Sequence, residues 1–429
     1  MNKKRGLNVE LLGGKGEIGN NKVLISWDNN YLLLDAGTRF WDFDIFERQK
    51  MRKMDLKRLV EENIIPKTVV DVMTEKGEIN IVLSHLHLDH YGLLDYSEAL
   101  NEIGSTIRIF MPEDQKNLFN ALIKLRRMEK DYSSYVRRKI DDLKHVIAVE
   151  DIKPIKVDHS IDAAYAYRIE TKHGTVFYTG DYRFTTEKEF DELVKAAKDV
   201  DYLITEATRI VSHGLFKETS VKEAFEDIMN KDIYTGSSFY VFVGWYTHSS
   251  RVRSIIEASG GRKVVLDKKI AKIIASINPE LIKSNRRVYV LAEDGEEDEL
   301  REEGFQIITV EEVNEERGNV VVVLTAFDVI KLWRTKTRKS IIVNPGDVAI
   351  VSLSEPYDEE GFKRMNEMVE RITEKLNMPV YFIHASGHAV LHEIVEFVQE
   401  IKPKYTYIVH SSNSKILEHY IKDVTSVYH

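Results

Sequence analysis

Short apolar runs separated by polar and glycine-rich stretches fill the first two hundred residues. NVELL (8–12), KVLISW (22–27), YLLLDAG (31–37) and INIVLS (79–84) have strand length and predict strands. VFYTGD (176–181) and DYLITE (201–206) predict two more, each ending in a carboxylate. GGKGEIGNN (13–21) lies between two such runs and lacks the Lys-Ser/Thr pair of a phosphate loop, so it reads as a hairpin turn, with Glu17 a candidate substrate contact. Residues 42–76 and 114–145 are charged and helix-like, the first with a basic cluster at Arg48, Lys50, Arg52, Lys53, Lys57 and Arg58.

From about residue 210 strand and helix signals alternate: FYVFVGW (239–245), RVRSIIEAS (251–259), KVVLD (263–267), VVVVLTAF (320–327) and DVAIVSLS (347–354). That alternation predicts a second α/β unit with a parallel sheet. The acidic run EDGEEDELREE (293–303) reads as a solvated helix or loop. The chain closes with VYFIHAS (380–386), a helix over about 388–401 marked by Val390, Leu391, Ile394, Val395, Val398 and Ile401, and the strand YTYIVH (405–410).

At 429 residues, 43% of them hydrophobic, the chain has material for two or three cores. Its net charge of −9 argues against binding nucleic acid over the whole surface but leaves room for a focused basic channel. There is no cysteine, so thiol catalysis, disulfides and thiolate metal sites are excluded. No signal-peptide run opens the sequence and no run of about 18 apolar residues occurs, so the expectation is a cytoplasmic protein with no membrane partner.

The strongest chemical signal is SHLHLDHYG (84–92). Three imidazoles and a carboxylate within six residues, directly after a strand, are poor core material and good metal ligands. One such segment cannot supply all the donors of a two-metal site. His159 in VDHS, Asp181 in YTGD and His410 in YIVH are the candidates for the rest, because each lies at or just past an apolar strand. His384, Ser386 and Gly387 precede the 388–401 helix. A hydroxyl, an imidazole and free N–H groups there would form an anion site, with Ser386 also serving as N-cap.

HLHLDH (85–90), with Asp35 before it and His159 and Asp181 after it, resembles the metallo-β-lactamase superfamily. GGKGEIGNN, VDHS, TGDYR, SGHA (386–389) and VHSS (409–412) resemble the β-CASP nucleases, in particular the ribonuclease J-like group. The resemblance implies a four-layer αβ/βα metallo-β-lactamase sandwich, 1–209 and 381–429, around an inserted α/β β-CASP domain, 210–380. It implies two zinc ions, with manganese as an alternative. His85, His87 and His159 would hold one ion and Asp89, His90 and His410 the other, with Asp181 bridging. Asp35 would orient a ligating histidine from behind. Asp89, Glu206 and His388 would be catalytic, with His388 serving the leaving oxygen and Glu206 orienting His388 or His410. The 384–387 segment would hold substrate phosphate.

The implied activity is hydrolysis of single-stranded RNA by a hydroxide that two cations generate, as a 5′→3′ exonuclease with endonuclease action and a homodimer left open. KLWRTKTRK (331–339), with Trp333, and the pair Arg251 and Arg253 are candidates for a path along the RNA. The rivals are a DNA nuclease, a small-molecule metallo-hydrolase of the same fold, and a non-catalytic RNA-binding scaffold. The pattern departs from its relatives in four places, the first being residues 40–79, which are longer than usual. TAFDV (325–329) stands where a glycine-rich loop is usual, the last motif reads HSS, and no further domain is expected after residue 429.

Overall fold

The structure is a computed structural model. It describes residues 6–38, 54–126, 140–141, 149–210, 215, 217–244, 248–333, 340–354 and 359–429. The basic residues Arg48, Lys50, Arg52 and Lys53, and residues 334–339 of the second basic run, lie outside the described residues. The chain divides into two compact units, Met1–Ser212 with Gly387–His429, and His213–Ser386.

The first unit holds two six-stranded mixed sheets. One runs in the order Asn8–Gly13, Lys22–Trp27, Asn30–Leu34, Glu78–Val82, Thr106–Phe110, Ile140–Asp141. The other runs Ser426–Tyr428, Tyr405–Val409, Tyr202–Glu206, Gly174–Tyr178, Ala164–Thr171, Asp151–Val157. In both, antiparallel hairpins give way to parallel strands. Helix Leu391–Ile401 buries Ile394, Phe397, Val398 and Ile401 on Phe177, Leu203 and Ile408 of the second sheet. These helix positions recur at a 3.6-residue period, which is why this stretch folds as a helix. The sandwich with an inserted α/β domain is the fold observed.

The second unit is built on a seven-stranded parallel sheet, ordered Ile307–Thr309, Val288–Ala292, Lys263–Leu266, Val320–Thr325, Phe239–Val243, Val348–Ser352, Val380–Phe382. Its central strands are unbroken apolar runs because both faces are covered. Phe239, Val241 and Val243 enter one core, while Tyr240 and Phe242 enter the other. Phe242→Ala would cost about 3–5 kcal/mol at such a position.

Several sequence expectations need correction. The helix-like stretch 114–145 is a helix only over Glu113–Arg126 among the described residues; Ile140–Asp141 is a short strand paired to Ile109 and Phe110. The helix expected over about 388–401 starts at Leu391, with Val390 as N-cap, so Ser386 does not cap it. The Val390 N–H is taken by Glu393 and the Ala389 N–H by the Tyr182 carbonyl. An anion site at that helix start therefore lacks two of its expected donors. The acidic run is not simply solvated either, since Lys268, Lys272 and Lys331 pair with Glu293, Glu296, Glu299 and Glu303. Among the described residues no helix is long and apolar enough to cross a membrane.

Candidate metal centre

All the candidate ligands lie in the first unit, beyond the ends of its strands. Strand Glu78–Val82 delivers the chain to His85, and His87 caps the four-residue helix Leu88–Tyr91, which carries Asp89 and His90. His159 follows Asp151–Val157, Asp181 follows Gly174–Tyr178, and His410 comes directly after Tyr405–Val409. Glu206 is the last residue of Tyr202–Glu206. Parallel neighbours end together, so side chains far apart in sequence are gathered at one edge.

They converge closely. His85 Nε2 and His159 Nε2 lie 2.9 and 3.1 Å from His87 Nδ1. Asp181 Oδ2 is 3.1 Å from His90 Nε2, 3.4 Å from His410 Nε2, 3.8 Å from His85 Nε2 and 3.9 Å from His159 Nε2. Asp89 Oδ2 is 3.0 Å from His410 Nε2. Asp35 and His410 adopt positive φ, +57° and +52°, a conformation that costs a non-glycine residue about 1–2 kcal/mol. Strain at two residues of one site fits a geometry imposed by the surrounding fold.

The outward nitrogens explain which way the lone pairs face. Asp35 accepts from His90 Nδ1 (2.6 Å), the Tyr178 hydroxyl (2.6 Å), and both the amide and the hydroxyl of Ser84 (2.6 Å each). Ser84 Oγ, having given its proton to Asp35, accepts from His85 Nδ1 at 3.1 Å. His159 Nδ1 donates to the Gly387 carbonyl (2.6 Å). The Thr208 hydroxyl donates to the His410 carbonyl, and His410 Nδ1 donates to its oxygen at 2.7 Å. With protons held outside, Nε2 of His85, His159 and His410 presents a lone pair inward. Bonds of this kind fix the tautomer of metal-ligating imidazoles.

The pKa directions of His85, His87 and His159 agree with neutral rings, and that of His90 does not. Burial, then neighbouring imidazoles, holds His85 and His159 well below the ordinary histidine value. Burial also brings His87 down to about 4, against the opposing pull of Asp89. These three stay neutral, as ligands must. His90 moves the other way: burial pulls it down, but Asp181, Asp89 and Asp35 outweigh burial and hold it well above the usual value. Asp181 sits well below the usual carboxylate range, because His410, His90 and His388 outweigh its burial.

A cation fits this donor set. His87 Nδ1 lies about 3 Å from Nε2 of both His85 and His159, and the inward lone pairs of the latter two suit a positive centre among the three rings. Asp181 Oδ1 is buried with no hydrogen-bond partner, the acceptor a second cation would use. Among the described residues four groupings could hold a metal: His85, His87 and His159; His85, His90 and Asp181; Asp89, His90 and His410; and Asp181, Glu206, His388 and His410. Asp35, with both oxygens already bonded, is left as a support.

Residues 73–228 match a beta-lactamase superfamily domain, and residues 373–425 match a Zn-dependent metallo-hydrolase RNA specificity domain. In these two segments the chain is similar to the metallo-β-lactamase superfamily, and the curated relatives it resembles are ribonucleases J. It is 26% identical to ribonuclease J of Methanocaldococcus jannaschii over 61% of this chain and 59% of that protein. It is 25% identical to ribonuclease J of Thermus thermophilus over 88% and 63%, and 24% identical to that of Helicobacter pylori over 91% and 53%. The chain thus spans less than two thirds of the length of these relatives. A crystal structure of a protein of unknown function from Enterococcus faecalis V583 shares the fold, with a TM-score of 0.74 and 17% identity over 99% of this chain and 98% of that one.

In the same pocket, Glu206 Oε2 accepts from His388 Nδ1 at 2.8 Å, while His410 is held by Thr208. His388 is pulled down by burial, but Glu206 and Asp181 outweigh this and raise it. Glu17 accepts from Asn20 Nδ2. His384 and Ser386 belong to the second unit, and Gly387 to the first. Gly387 packs so tightly that a Cβ there would sit 2.8 Å from His159 Nδ1 and 2.7 Å from Ser160. Its carbonyl orients a candidate ligand, a task its place in SGHA did not suggest. Thr208, Ser84 and Tyr178 were likewise missed, because single hydroxyls carry no spacing signal. Arg251 is a correction: it is buried and fully paired, so it lines no exposed basic path, whereas Arg253 is exposed.

Proposed function

We propose that this chain is a metal-dependent ribonuclease that hydrolyses phosphodiester bonds of single-stranded RNA, working 5′→3′ from an end. The observation that carries the proposal is the convergence of His85, His87, Asp89, His90, His159, Asp181 and His410 on one buried pocket, in a chain whose segment 373–425 matches an RNA specificity domain. The names of the ribonuclease J relatives support RNA as the substrate. We assign two zinc ions to the pocket, manganese being the alternative, with Asp181 shared between them. When bound, such a pair acidifies water and neutralises charge building on phosphate oxygens.

The chain's own residues supply the rest. Asp35, Ser84, Thr208 and the Gly387 carbonyl hold the imidazoles in their ligating tautomers. His388, kept basic by Glu206 and Asp181, carries a proton for the departing oxygen. The 384–387 segment meets a substrate phosphate, and 210–380 acts as the inserted domain between 1–209 and 381–429. The test is a set of 5′- and 3′-labelled single-stranded RNA and DNA oligomers, with 5′-phosphate or 5′-hydroxyl, incubated with zinc- or manganese-loaded protein. RNA mononucleotides released from the 5′ side are expected. No cleavage of RNA by loaded protein, or an unchanged His85→Ala variant, would refute the reading.

A further inference from the structure

The second unit contains a buried guanidinium whose bonds all point at one short segment. Arg251 lies on helix Ser249–Ala258 and is 5% exposed. Its Nε donates to Glu218 Oε1 (2.5 Å) and one Nη2–H to Glu218 Oε2 (2.8 Å), a bidentate pair with a carboxylate that is also buried. The other Nη2–H donates to the Ala385 carbonyl at 3.2 Å. Nη1 donates to Ser352 Oγ (2.6 Å) and lies 3.1 Å from His384 Nδ1. The Ser352 hydroxyl in turn donates to the Ile383 carbonyl at 2.6 Å. An arginine has five N–H donors, and all five are used here.

The contact to His384 fixes a chemical state. A guanidinium can only donate, so Nδ1 must accept, and the imidazole proton resides on Nε2. That N–H is directed away from the arginine, towards Ser354 Oγ at 3.2 Å. Arg251, with Glu218 behind it, Ser352 and Ser354 are among the groups around the ring. Residues 383–385, directly after the edge strand Val380–Phe382, are thereby tied to helix Ser249–Ala258 and strand Val348–Ser352.

We propose that Arg251 is a positioning residue that presents His384 as a neutral Nε2–H donor to a substrate phosphate. The phosphate contact rests on the function proposed above; the tautomer lock does not. The lock is read by ¹⁵N NMR of histidine-labelled full-length protein, and the contact by steady-state kinetics on 5′-phosphorylated RNA. Wild type is expected to show His384 with a protonated Nε2 throughout pH 6–8. Arg251→Lys, which supplies no planar fork, is expected to lose that fixed tautomer. It should also raise KM about tenfold with kcat nearly unchanged, like His384→Ala, and the double variant should be no worse than either single one. Arg251→Met/Glu218→Met, which removes both buried charges together, is the second variant and should behave in the same way. A wild-type His384 spectrum in both Arg251 variants would overturn the positioning role. A lost tautomer with KM unchanged in both Arg251 variants and in His384→Ala would leave the lock standing and refute the phosphate contact.

Discussion

Both units collect charged side chains where parallel strands end, and the two collections solve the electrostatic problem differently. In the second unit Asp267 follows strand Lys263–Leu266, Glu293 follows Val288–Ala292, and Asp328 lies in the turn after Val320–Thr325. Lys331 stands among them, 3.0 Å from Glu293 and from Asp328 and 3.6 Å from Asp267. Burial pulls its pKa down, but Asp328 and Asp267 outweigh this and keep it charged. That cluster carries its own cation. In the first unit six imidazoles and the carboxylates of Asp89, Asp181 and Glu206 converge, and the acids pair with imidazoles. The comparison teaches that buried acids alone do not mark a metal centre. What marks it is imidazole nitrogens gathered on one point, with the ring protons of His85, His159 and His410 turned outward.

The largest effect should follow from removing the charge at the centre of the first cluster. Asp181→Asn is expected to lower RNA cleavage at least about a thousandfold and to reduce bound metal. Kinetics and elemental analysis check both, and a variant with normal metal content would erase the distinction between the clusters. Acid should come next. The folded-state pKa of His87 is about 4, and the pKa values of His85 and His159 are also lowered, against about 6.5 in an unfolded chain. Between those values the unfolded chain takes up protons that the folded one refuses, so these three contribute stability above about pH 6.5 that is lost as pH falls towards 4. His90 and His388, whose pKa values are raised, act in the opposite sense: their contribution is present below about 6.5 and is lost as pH rises through their folded values. Protons also compete with a cation for the lowered three, so metal release should increase between pH 7 and 5. Titration with a metal-sensitive dye reads this directly. The Lys331 cluster contains no imidazole and should stay intact across that window.

The smallest effect belongs to the second unit. Lys331→Met leaves three carboxylates facing each other. It should cost about 1–3 kcal/mol in urea unfolding, with the lower end favoured because the lysine is partly exposed and water screens the pairs. Metal content should not change. A variant that lost metal would show that the two clusters are coupled.

Much of the first cluster was legible beforehand. HLHLDH concentrates ligands within six residues, and His159, Asp181 and His410 share the strand-end address that topology makes meaningful. The supports were not legible. Ser84, Thr208 and the Gly387 carbonyl act through one bond each, made across tens to hundreds of residues. Parts of the fold were hidden for related reasons. Asp151–Val157, sequence DIKPIKV, is a polar edge strand with a proline, so its composition resembles a loop. Ile140–Asp141 is two residues long and exists only through pairing with Thr106–Phe110. Arg251 misled because a basic residue in a motif looks the same whether it faces phosphate or is buried against Glu218.

The central claim is that the imidazoles and Asp181 form a paired-cation pocket. The most direct measurement is the zinc and manganese content per chain of purified protein, by elemental mass spectrometry, for wild type and for a His87→Ala/His410→Ala variant that takes one ligand from each proposed ion. The account predicts two ions per wild-type chain and fewer than one in the double variant. A folded wild-type chain that binds no divalent metal at neutral pH, or a double variant that retains the full complement, would contradict it.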